Sequence, residues 1–554
     1  MTMFTRLGVY FLLASAGFTP SATAQIIGAT EAVKLLANDG NSGDYYGKSV
    51  ALDGTTLAIG AWMDDHLGDQ AGSVYVYVLN GPNWVLQQKL TVTTVSSQYR
   101  FGESLSLQGD RLAVGCAWDG VGAYQSGAVY VFERSGTVWT QTAKLKGSNV
   151  FYNRNLGRSV ALDGDTIAAG APIECCFSNP PGNVYVFRLV GGVWIEEAVL
   201  SGQGALASAA LGHSVALAGD LLVAGEPHFR YTTNAQTPGF AHVYLRTGSV
   251  WTETQRLSNP SGYMNGLFGQ SVAFEGNTIV IGAPEGPVHG QAYVFEDVGG
   301  TWTLTQQLLP NDERVAGEFG ESVAIEGAQI AVGAPLAVGG VYVFERSAGT
   351  WTQRSKLIQS EAGLSDRLAG AVTLDGGRLL AGAQSDDDLG TESGAAFLYA
   401  LPAVSVGTPF CAGDGSAGPC PCGNESTPGH QLGCRNYFGQ GAWLFAVGSA
   451  SASVDDLELH AFGGLTRRSF LVASTVSGAA ATYGNGLSCL SSPFLVRSAA
   501  PIGGQSYARF GPGLGATAGW GPGQTWYFQQ FYRDAGTCNG GKNASNAVAV
   551  TIAP

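Results

Sequence analysis

One phrase recurs seven times in this chain and constrains its fold more than any other feature. It opens with an aromatic residue or leucine followed by glycine, continues as x-Ser-Val-Ala-apolar-x-Gly, and closes with an apolar run ending in Gly-Ala. The opening and closing glycine positions are 13 residues apart in all seven copies, whereas the step between copies varies from 49 to 57 residues. This pattern indicates a rigid hairpin followed by a loop of changing length. The opening positions are Gly47, Gly102, Gly157, Gly212, Gly269, Gly320 and Ala369, and the closing positions are Gly60, Gly115, Gly170, Gly225, Gly282, Gly333 and Gly382.

Each copy contains four predicted strands. In the first copy, Ser49 to Leu52 and Leu57 to Ala61 flank an Asp-Gly turn, which is a strong hairpin signal because glycine tolerates positive φ. A Val-Tyr-Val-Tyr run predicts the third strand, and a segment from Trp84 to Leu90 predicts the fourth. Seven four-stranded antiparallel units of about 50 residues predict an all-β fold, a seven-bladed β-propeller.

The seventh copy lacks the tryptophan-containing strand. The sequence AVKLL at residues 32–36 precedes the first copy and resembles the end of that strand elsewhere. We therefore expect residues 32–36 to complete the seventh blade and close a propeller spanning residues 25–402. Such closure leaves no open sheet edge between the first and last blades.

These residues resemble FG-GAP repeats, the units of the integrin α-chain propeller, in the form common among exported bacterial proteins. The resemblance covers residues 31–401 and rests on Phe-Gly pairs such as Phe268-Gly269 and Gly-Ala-Pro ends such as Gly282-Ala283-Pro284. It implies a binding or adhesion role. Calcium-binding members carry an Asp-rich loop between the first two strands, but this chain has only two-residue turns there. A two-residue turn cannot supply the six to eight oxygens that Ca²⁺ requires, so no such site is expected in any copy.

Charge and composition exclude several classes of protein. The chain has 554 residues and 81 glycines, with only 13% charged residues, a hydrophobic share of 45% and a net charge of −14. The negative charge argues against a nucleic-acid binder, the composition against a coiled coil, and the ordinary hydrophobic share against an acidic disordered chain. The charge is uneven, because residues 25–402 carry 36 acids and 20 bases (net −16) and residues 403–554 carry 6 acids and 7 bases (net +1). This asymmetry predicts two domains.

The first residues of the chain predict export. Residues 1–24 combine Arg6, an apolar stretch and an Ala-x-Ala site, which is typical of a cleaved signal peptide. We expect a secreted or cell-surface monomer with no membrane span in the mature chain.

Residues 403–554 predict a small Cys- and Gly-rich β-sandwich-like domain. Export favours disulfides there, although a zinc site including His430 fits part of the same pattern. The disulfide candidates are Cys411, Cys420, Cys422, Cys434, Cys489 and Cys538.

The long connections between the second and third strands hold the candidate ligand contacts. Connections in copies one and seven are acidic and meet at the ring closure, which suggests a site for Ca²⁺ or a cationic partner; a solvated face explains the same residues. Aromatic residues in copies one, two and four suit sugar or peptide stacking, or only pack on each other. No cofactor beyond this Ca²⁺ hypothesis is expected. The candidates are Trp62, Asp64, Asp65, Trp118, Tyr124, His228, Phe229, Tyr231, Asp386, Asp387 and Asp388.

Three functions remain open from the sequence. The first is an exported binding or adhesion protein whose loops engage an extracellular protein or cell-surface ligand. The second is a lectin-like propeller that binds glycans. The third is an exported hydrolase, although the chain has no Gly-x-Ser-x-Gly or His-Glu-x-x-His motif and no catalytic residue is predicted.

Overall fold

The structure is a computed structural model that describes residues 30–401 apart from short stretches in connecting segments. These stretches are 93–97, 121–124, 150–153, 173–180, 204–209, 228–237, 265, 287–289, 311–316, 337–339, 348 and 360–365. Beyond residue 401 it describes residues 407–410, 420, 443–447, 458–462, 469–475, 477–483, 486–490, 495–499, 507–510, 524–533 and 542–551.

Residues 30–401 form seven antiparallel four-stranded sheets, which confirms the predicted seven-bladed propeller. The first three blades are β2 (Tyr46–Asp53), β3 (Thr56–Ala61), β4 (Ser73–Asn80) and β5 (Asn83–Leu90); β6 (Phe101–Gln108), β7 (Arg111–Cys116), β8 (Ala128–Ser135) and β9 (Val138–Leu145); and β10 (Ser159–Asp163), β11 (Thr166–Ala171), β12 (Asn183–Val190) and β13 (Val193–Leu200). Blades four and five are β14 (Val215–Ala218), β15 (Leu221–Glu226), β16 (Phe240–Thr247) and β17 (Val250–Ser258); and β18 (Ser271–Glu275), β19 (Thr278–Ala283), β20 (Gln291–Asp297) and β21 (Trp302–Leu308). Blades six and seven are β22 (Ser322–Glu326), β23 (Gln329–Ala334), β24 (Gly340–Ser347) and β25 (Thr350–Leu357); and β26 (Leu368–Asp375), β27 (Arg378–Ala383), β28 (Ala395–Ala400) and β1 (Thr30–Leu35).

Strand β1 occupies the place that the sequence assigns to residues 32–36. It pairs antiparallel with β28, so the N-terminal segment supplies the outermost strand of blade seven. Lys34 lies opposite Phe397 in this pairing, as Lys89 lies opposite Tyr75 in blade one. The ring is therefore closed by a strand that is remote in sequence from the rest of its sheet.

The direction of the strands gives the propeller two different faces. The first and second strands of every blade are joined by two residues, and these hairpins all lie on one face, called here the turn face. The connections from second to third strand, and from each blade to the next, lie on the opposite face, called here the loop face. Connections between the second and third strands range from 5 residues (335–339) to 13 residues (227–239).

Close contact between neighbouring blades explains the constant spacing of the phrase. A Cβ atom placed on any of the seven closing glycines would lie only 1.8–2.2 Å from the backbone carbonyl oxygen of the opening position in the next blade. The phrase serine donates to that same carbonyl at 2.7–2.9 Å in six blades, and Ala371 replaces it in blade seven. One phrase thus holds two blades together, which requires both glycines and the serine at fixed separations.

A second set of bonds links the hairpins on the turn face. In six of the seven blades, the side chain of the residue before the hairpin glycine accepts a hydrogen bond from the glycine N–H of the next blade, at 2.5–2.8 Å. Ala218 of blade four has no acceptor to offer to Gly276 of blade five. The six acceptors are Asp53, Gln108, Asp163, Glu275, Glu326 and Asp375.

We expect Ala218→Asp to raise the free energy of unfolding by about 0.5–1 kcal/mol, because the new carboxylate supplies the missing acceptor for the Gly276 N–H. Urea denaturation of the full chain measures this change. Ala218→Val is the control, since it enlarges the side chain without adding an acceptor. An equal gain from both variants, or none from Ala218→Asp, would contradict this explanation of the hairpin bonds.

The tryptophans of the fourth strands pack between blades, as the repeat pattern predicts. The Trp139 indole is 2% exposed and donates through Nε1 to Gln87 at 2.8 Å, while the Gln88 amide bonds both backbone groups of Trp139. Gln255 and Gln306 bind the backbone of Trp302 and Trp351 in the same manner. The apolar clusters also join residues of successive blades, for example Val74 of blade one with Phe101 of blade two.

The C-terminal region is rich in β-structure. One sheet has the order β29-β38-β37-β32-β35, a second has β30-β31-β36, and β33 pairs with β34. The predicted sandwich packing and its disulfides remain predictions; Cys420 is buried, Cys489 lies in β34, and Cys411, Cys422, Cys434 and Cys538 lie outside the described residues. The strands are β29 (Gly407–Phe410), β30 (Trp443–Val447), β31 (Glu458–Phe462), β32 (Ser469–Ser474), β33 (Ser477–Tyr483), β34 (Gly486–Leu490), β35 (Leu495–Ala499), β36 (Tyr507–Phe510), β37 (Thr525–Arg533) and β38 (Lys542–Thr551).

Candidate functional site

The central channel and its mouth on the loop face form the candidate site. The first strand of every blade has only one hydrogen-bonded neighbour, and these seven inner strands together line a cavity of about 350 Å³. Most side chains along it are apolar. The lining segments are 50–52, 105–107, 160–162, 215–217, 273–274, 323–325 and 372–374.

A ring of mostly polar side chains stands at the start of these inner strands. The ring is formed by the variable third position of the phrase, which is Lys48, Glu103, Arg158, His213, Gln270, Glu321 and Gly370 in blades one to seven. Arg158 Nε lies 3.6 Å from Glu103 Oε1, and the Gln270 amide lies 3.3 Å from both carboxylate oxygens of Glu321. Gly370 leaves the position in blade seven without a side chain, and a Cβ there would meet open space apart from the Arg367 carbonyl oxygen at 3.6 Å.

Two glutamates of blade six, Glu318 and Glu321, have raised pKa values at the mouth of the channel. Burial and the neighbouring charge of Glu318 raise the pKa of Glu321 to about 7, although Lys48 and Arg158 oppose the rise. Burial also raises the pKa of Glu318, against the opposing charge of Arg367, whose guanidinium lies 3.5 Å away. Glu321 therefore exchanges its proton near neutral pH, and the charge of the mouth changes there.

Trp62 and Trp118, both predicted ligand contacts, meet around Arg100. The Arg100 guanidinium lies 4.3 Å from the ring centroid of Trp62 and 3.2 Å from that of Trp118, and Lys48 Nζ lies 5.1 Å from the Trp62 ring. Arg100 has a φ of 57°, a left-handed conformation shared by the residue two places before the opening glycine position in every blade. The two indoles thus form a cation–π stack with a side chain of the protein itself.

The predicted acidic residues divide into buried and exposed groups. Asp64 is 4% exposed and its carboxylate lies 2.7 Å from Lys89 Nζ; Asp386 lies 2.9 Å from Lys34 Nζ, and Asp388 lies 2.5 Å from the same atom. Asp65 is exposed and accepts from the Gln70 N–H at 2.7 Å. Asp387 is likewise exposed and accepts from the Glu392 N–H at 2.8 Å. Across residues 30–401 as described, no cluster of three or more His, Cys, Asp or Glu side chains is arranged to hold a metal ion.

The structure reveals a repeated buried ion pair that the sequence interpretation missed. In blades one, two and seven, an aspartate four residues after the closing glycine pairs with a lysine on the fourth strand, and an aromatic ring of the third strand lies beside the ammonium group. Because the aspartate lies at the same offset from the closing glycine in all three blades, this repeated position could have indicated the ion pair from the sequence. The sets are Asp64, Lys89 and Tyr75; Asp119, Lys144 and Tyr130; and Asp386, Lys34 and Phe397.

Blade four carries a different buried cluster. His242 is fully buried, and its Nε2 lies 2.8 Å from Glu226 Oε2 while its Nδ1 lies 2.8 Å from Glu253 Oε1. Burial alone would lower the pKa of His242, but its hydrogen bonds to the two carboxylates, together with their charges, raise it. By strand register, Glu226, His242 and Glu253 take the places of Ala61, Tyr75 and Leu86. The other predicted aromatic contacts, namely Tyr124, His228, Phe229 and Tyr231, lie outside the described residues.

Comparison with known families supports the propeller assignment. A family described as "FG-GAP repeat" matches six segments, which together cover about half of the chain. The matched segments leave out residues 188–250, the part of the chain that contains Glu226 and His242. No curated protein sequence matches the chain. The matched segments are 29–77, 84–132, 139–187, 251–295, 302–344 and 351–399.

Among solved structures, the chain is similar to one from the mitotic checkpoint complex, with 13% identity, a TM-score of 0.45, and coverage of 72% of this chain and 99% of that one. It is also similar to a candidate 6-phosphogluconolactonase from Bacteroides uniformis ATCC 8492, with 13% identity, a TM-score of 0.43, and coverage of 61% and 91%. In the part of the chain that the structure describes, no helix is long and apolar enough to cross a membrane.

Proposed function

Because this chain belongs to the FG-GAP repeat family, we propose that it is an exported binding protein of the adhesion type. Its loop face engages a protein ligand outside the cell or on a cell surface. The observation that carries this proposal is a difference between the two faces of the propeller: the connections on the turn face are constant in length, and those on the loop face vary. All seven hairpins between first and second strands contain two residues, whereas the loop-face connections differ between blades. Loops of varied length on a rigid scaffold are the usual location of binding residues.

The character of the loop face favours a protein over a repeated glycan pocket. Its mouth residues differ from blade to blade, so the seven blades do not repeat one ligand pocket. Exposed leucines add apolar contact area to the same face, including Leu67 (44% exposed) and Leu389 (43% exposed). Mixed charges around a few apolar contacts suit a protein interface. The proposal assigns no catalytic activity to the chain.

Binding of the mature chain to cell-surface material tests this function. We expect the mature chain to be retained on intact cells or on an immobilised cell-surface extract. Treating the cells or the extract with protease should abolish this retention, whereas treating them with glycosidase should leave it unchanged. We expect Leu67→Arg with Leu389→Arg to weaken retention at least tenfold. The matched control is Val138→Arg with Val250→Arg, which adds the same charges at exposed apolar positions beside the turn face (Val138 54% and Val250 63% exposed).

Two results would overturn the proposal. One is equal weakening by the turn-face control, which would show that retention does not depend on the loop face. The other is loss of retention only after glycosidase treatment together with selective binding on a glycan array, which would favour the lectin-like alternative.

A further inference from the structure

We propose that the part of the loop face above blades five and six is a docking site for a protein segment that carries a basic side chain next to an apolar one. This inference rests on the proposed function and adds the place on the loop face and the chemistry of the ligand segment. The site, called here the notch, is formed by Tyr263, Met264, Glu285, Glu318 and Leu336.

Short connections give the notch its shape. The connection between the second and third strands has seven residues in blade five (284–290) and five residues in blade six (335–339). The same connection has 11 or 13 residues in each of the other five blades. Blades five and six are neighbours, so the longer connections of blades four and seven flank one continuous recess. A projecting segment of a partner protein can enter there.

An anchored turn presents apolar side chains at one side of the notch. Tyr263 is 40% exposed and Met264 is 42% exposed. The buried Asn259 side chain holds this turn, because it accepts from the Ser261 N–H at 3.0 Å and from the Tyr293 hydroxyl at 3.1 Å. The Asn259 amide also donates to the Tyr263 carbonyl oxygen at 3.3 Å. A backbone that is already ordered lowers the entropy lost when these side chains bind a partner.

Contacts between the connections join this turn to blade six. The Glu285 N–H donates to the Gly266 carbonyl oxygen at 3.3 Å, two residues beyond Met264. Burial, and to a smaller extent the charge of Glu285, raises the pKa of Glu318, so the two carboxylates lie near each other. Next to Glu318, the Gly317 carbonyl oxygen accepts from the N–H of Leu336, which is 38% exposed. Apolar side chains thus stand on both sides of two carboxylates.

The charges of the notch favour a basic ligand group. Glu285 is exposed, and Glu318 is half-buried with the Arg367 guanidinium 3.5 Å away. Two carboxylates and one guanidinium leave a net negative charge. The propeller adds to this attraction for cations, since residues 25–402 carry a net charge of −16. A lysine or arginine beside an apolar residue therefore matches both the charge and the apolar surface of the notch.

The test uses the full mature chain and a fluorescent peptide of sequence Gly-Leu-Arg-Leu-Gly-Leu-Arg-Leu-Gly. One control peptide has glutamine in place of both arginines, and a second has serine in place of the leucines. Fluorescence anisotropy measures the binding of each peptide. We expect each control peptide to bind at least tenfold more weakly than the parent peptide, because one lacks the charge and the other lacks the apolar side chains.

Variants of the notch locate the binding. Tyr263→Ser together with Met264→Ser is expected to weaken binding of the parent peptide at least tenfold. Glu285→Gln is expected to weaken it at least threefold, because it removes one of the two carboxylates. Leu336→Ser makes the same test from the blade-six side if the double variant does not fold. Unfolding midpoints establish which variants fold.

Matched controls change the same kinds of side chain on the turn face. Val190→Ser together with Val193→Ser removes two exposed apolar side chains from blade three. Asp297→Asn removes an exposed carboxylate from blade five but keeps an acceptor for the Gly300 N–H, which Asp297 binds at 2.7 Å. Both controls are expected to leave peptide binding unchanged.

Three results would overturn the notch as a docking site. The first is equal binding of all three peptides, and the second is equal weakening by the turn-face controls. The third is a concentration-dependent dimer that Tyr263→Ser with Met264→Ser abolishes, which would assign the surface to a second copy of this chain.

The outcomes also separate this inference from the proposed function. If the peptide does not bind but retention on cells still depends on the loop face, the proposed function stands without the notch. Binding of the peptide at the notch by a chain that no cell-surface protein retains leaves the notch in place and overturns the adhesion role.

Discussion

Replacing His242 by alanine is expected to lower the free energy of unfolding by about 3–5 kcal/mol. The imidazole bridges Glu226 and Glu253 in the interior of blade four, at 2.8 Å from each carboxylate. Its removal leaves two buried carboxylates facing a cavity without the cation between them. Urea denaturation of the full chain, followed by tryptophan fluorescence, measures the loss.

A triple variant distinguishes two effects on the free energy of unfolding: the loss caused by leaving two buried carboxylates without their partner, and the net contribution of the whole cluster. Glu226→Ala, His242→Phe and Glu253→Leu together install residues found at the same positions in other blades, namely Ala61, Phe397 and Leu86. Replacing a buried ionic cluster by apolar groups of similar volume is often neutral or stabilising. We therefore expect the triple variant to be at least as stable as the native chain. A loss as large as that of His242→Ala would contradict this account.

The pH dependence of stability gives the same cluster a second readout. The folded-state pKa of His242 is raised above its ordinary value of 6.5. Its contribution to stability is thus fully present below about pH 6.5 and is lost as the pH rises through the folded-state pKa. The stability of the native chain relative to the triple variant should decrease over that range. A difference that does not change with pH would show that His242 keeps the same charge in both states.

Replacing Gly170 by alanine is expected to lower the free energy of unfolding by about 3 kcal/mol. The added Cβ would lie 1.8 Å from the Gly212 carbonyl oxygen and 2.4 Å from Ser159 Oγ. Backbone of the next blade cannot move aside as a flexible side chain would, so the interface between blades three and four must open. The change in urea midpoint of the full chain measures the effect.

The control for this variant is Gly164→Ala in the hairpin of the same blade. Gly164 has a φ of +54°, and an added methyl group there would have no heavy atom within 4 Å, so only backbone strain of about 1–2 kcal/mol is expected. A larger loss from Gly164→Ala than from Gly170→Ala would mean that conformational strain, rather than contact between blades, explains the closing glycines.

The fold was predictable from the sequence because the contact between blades is made by the repeated phrase itself. Gly170, Ser159 and Gly212 meet in space, and their fixed separations are visible along the chain. The same logic identified the hairpin turns and the interblade tryptophans. Repetition thus converted a contact between segments about 50 residues apart into a pattern that can be recognised locally.

The buried charges were not predictable in the same way. Asp386 lies in an acidic loop that the sequence analysis interprets either as a cation site or as a solvated face. Its partner Lys34 lies in the same blade, but on a strand from the other end of the propeller sequence. Glu226, His242 and Glu253 come from three strands of one blade, and their spacing matches no metal or catalytic motif. The usable signal was the glutamate that replaces alanine after the closing glycine of blade four.

The two gaps in the interblade bonds divide the ring unequally. The hairpin bond is missing between blades four and five, where Ala218 stands, and the serine bond is missing between blades seven and one, where Ala371 stands. These interfaces separate an arc of four blades from an arc of three. The ring closure between blades seven and one keeps the hairpin bond from the Gly54 N–H to Asp375, and the interface between blades four and five keeps the bond from Ser214 to the Gly269 carbonyl. Each of these two interfaces therefore retains one of the two repeated bonds, so neither junction relies on apolar packing alone.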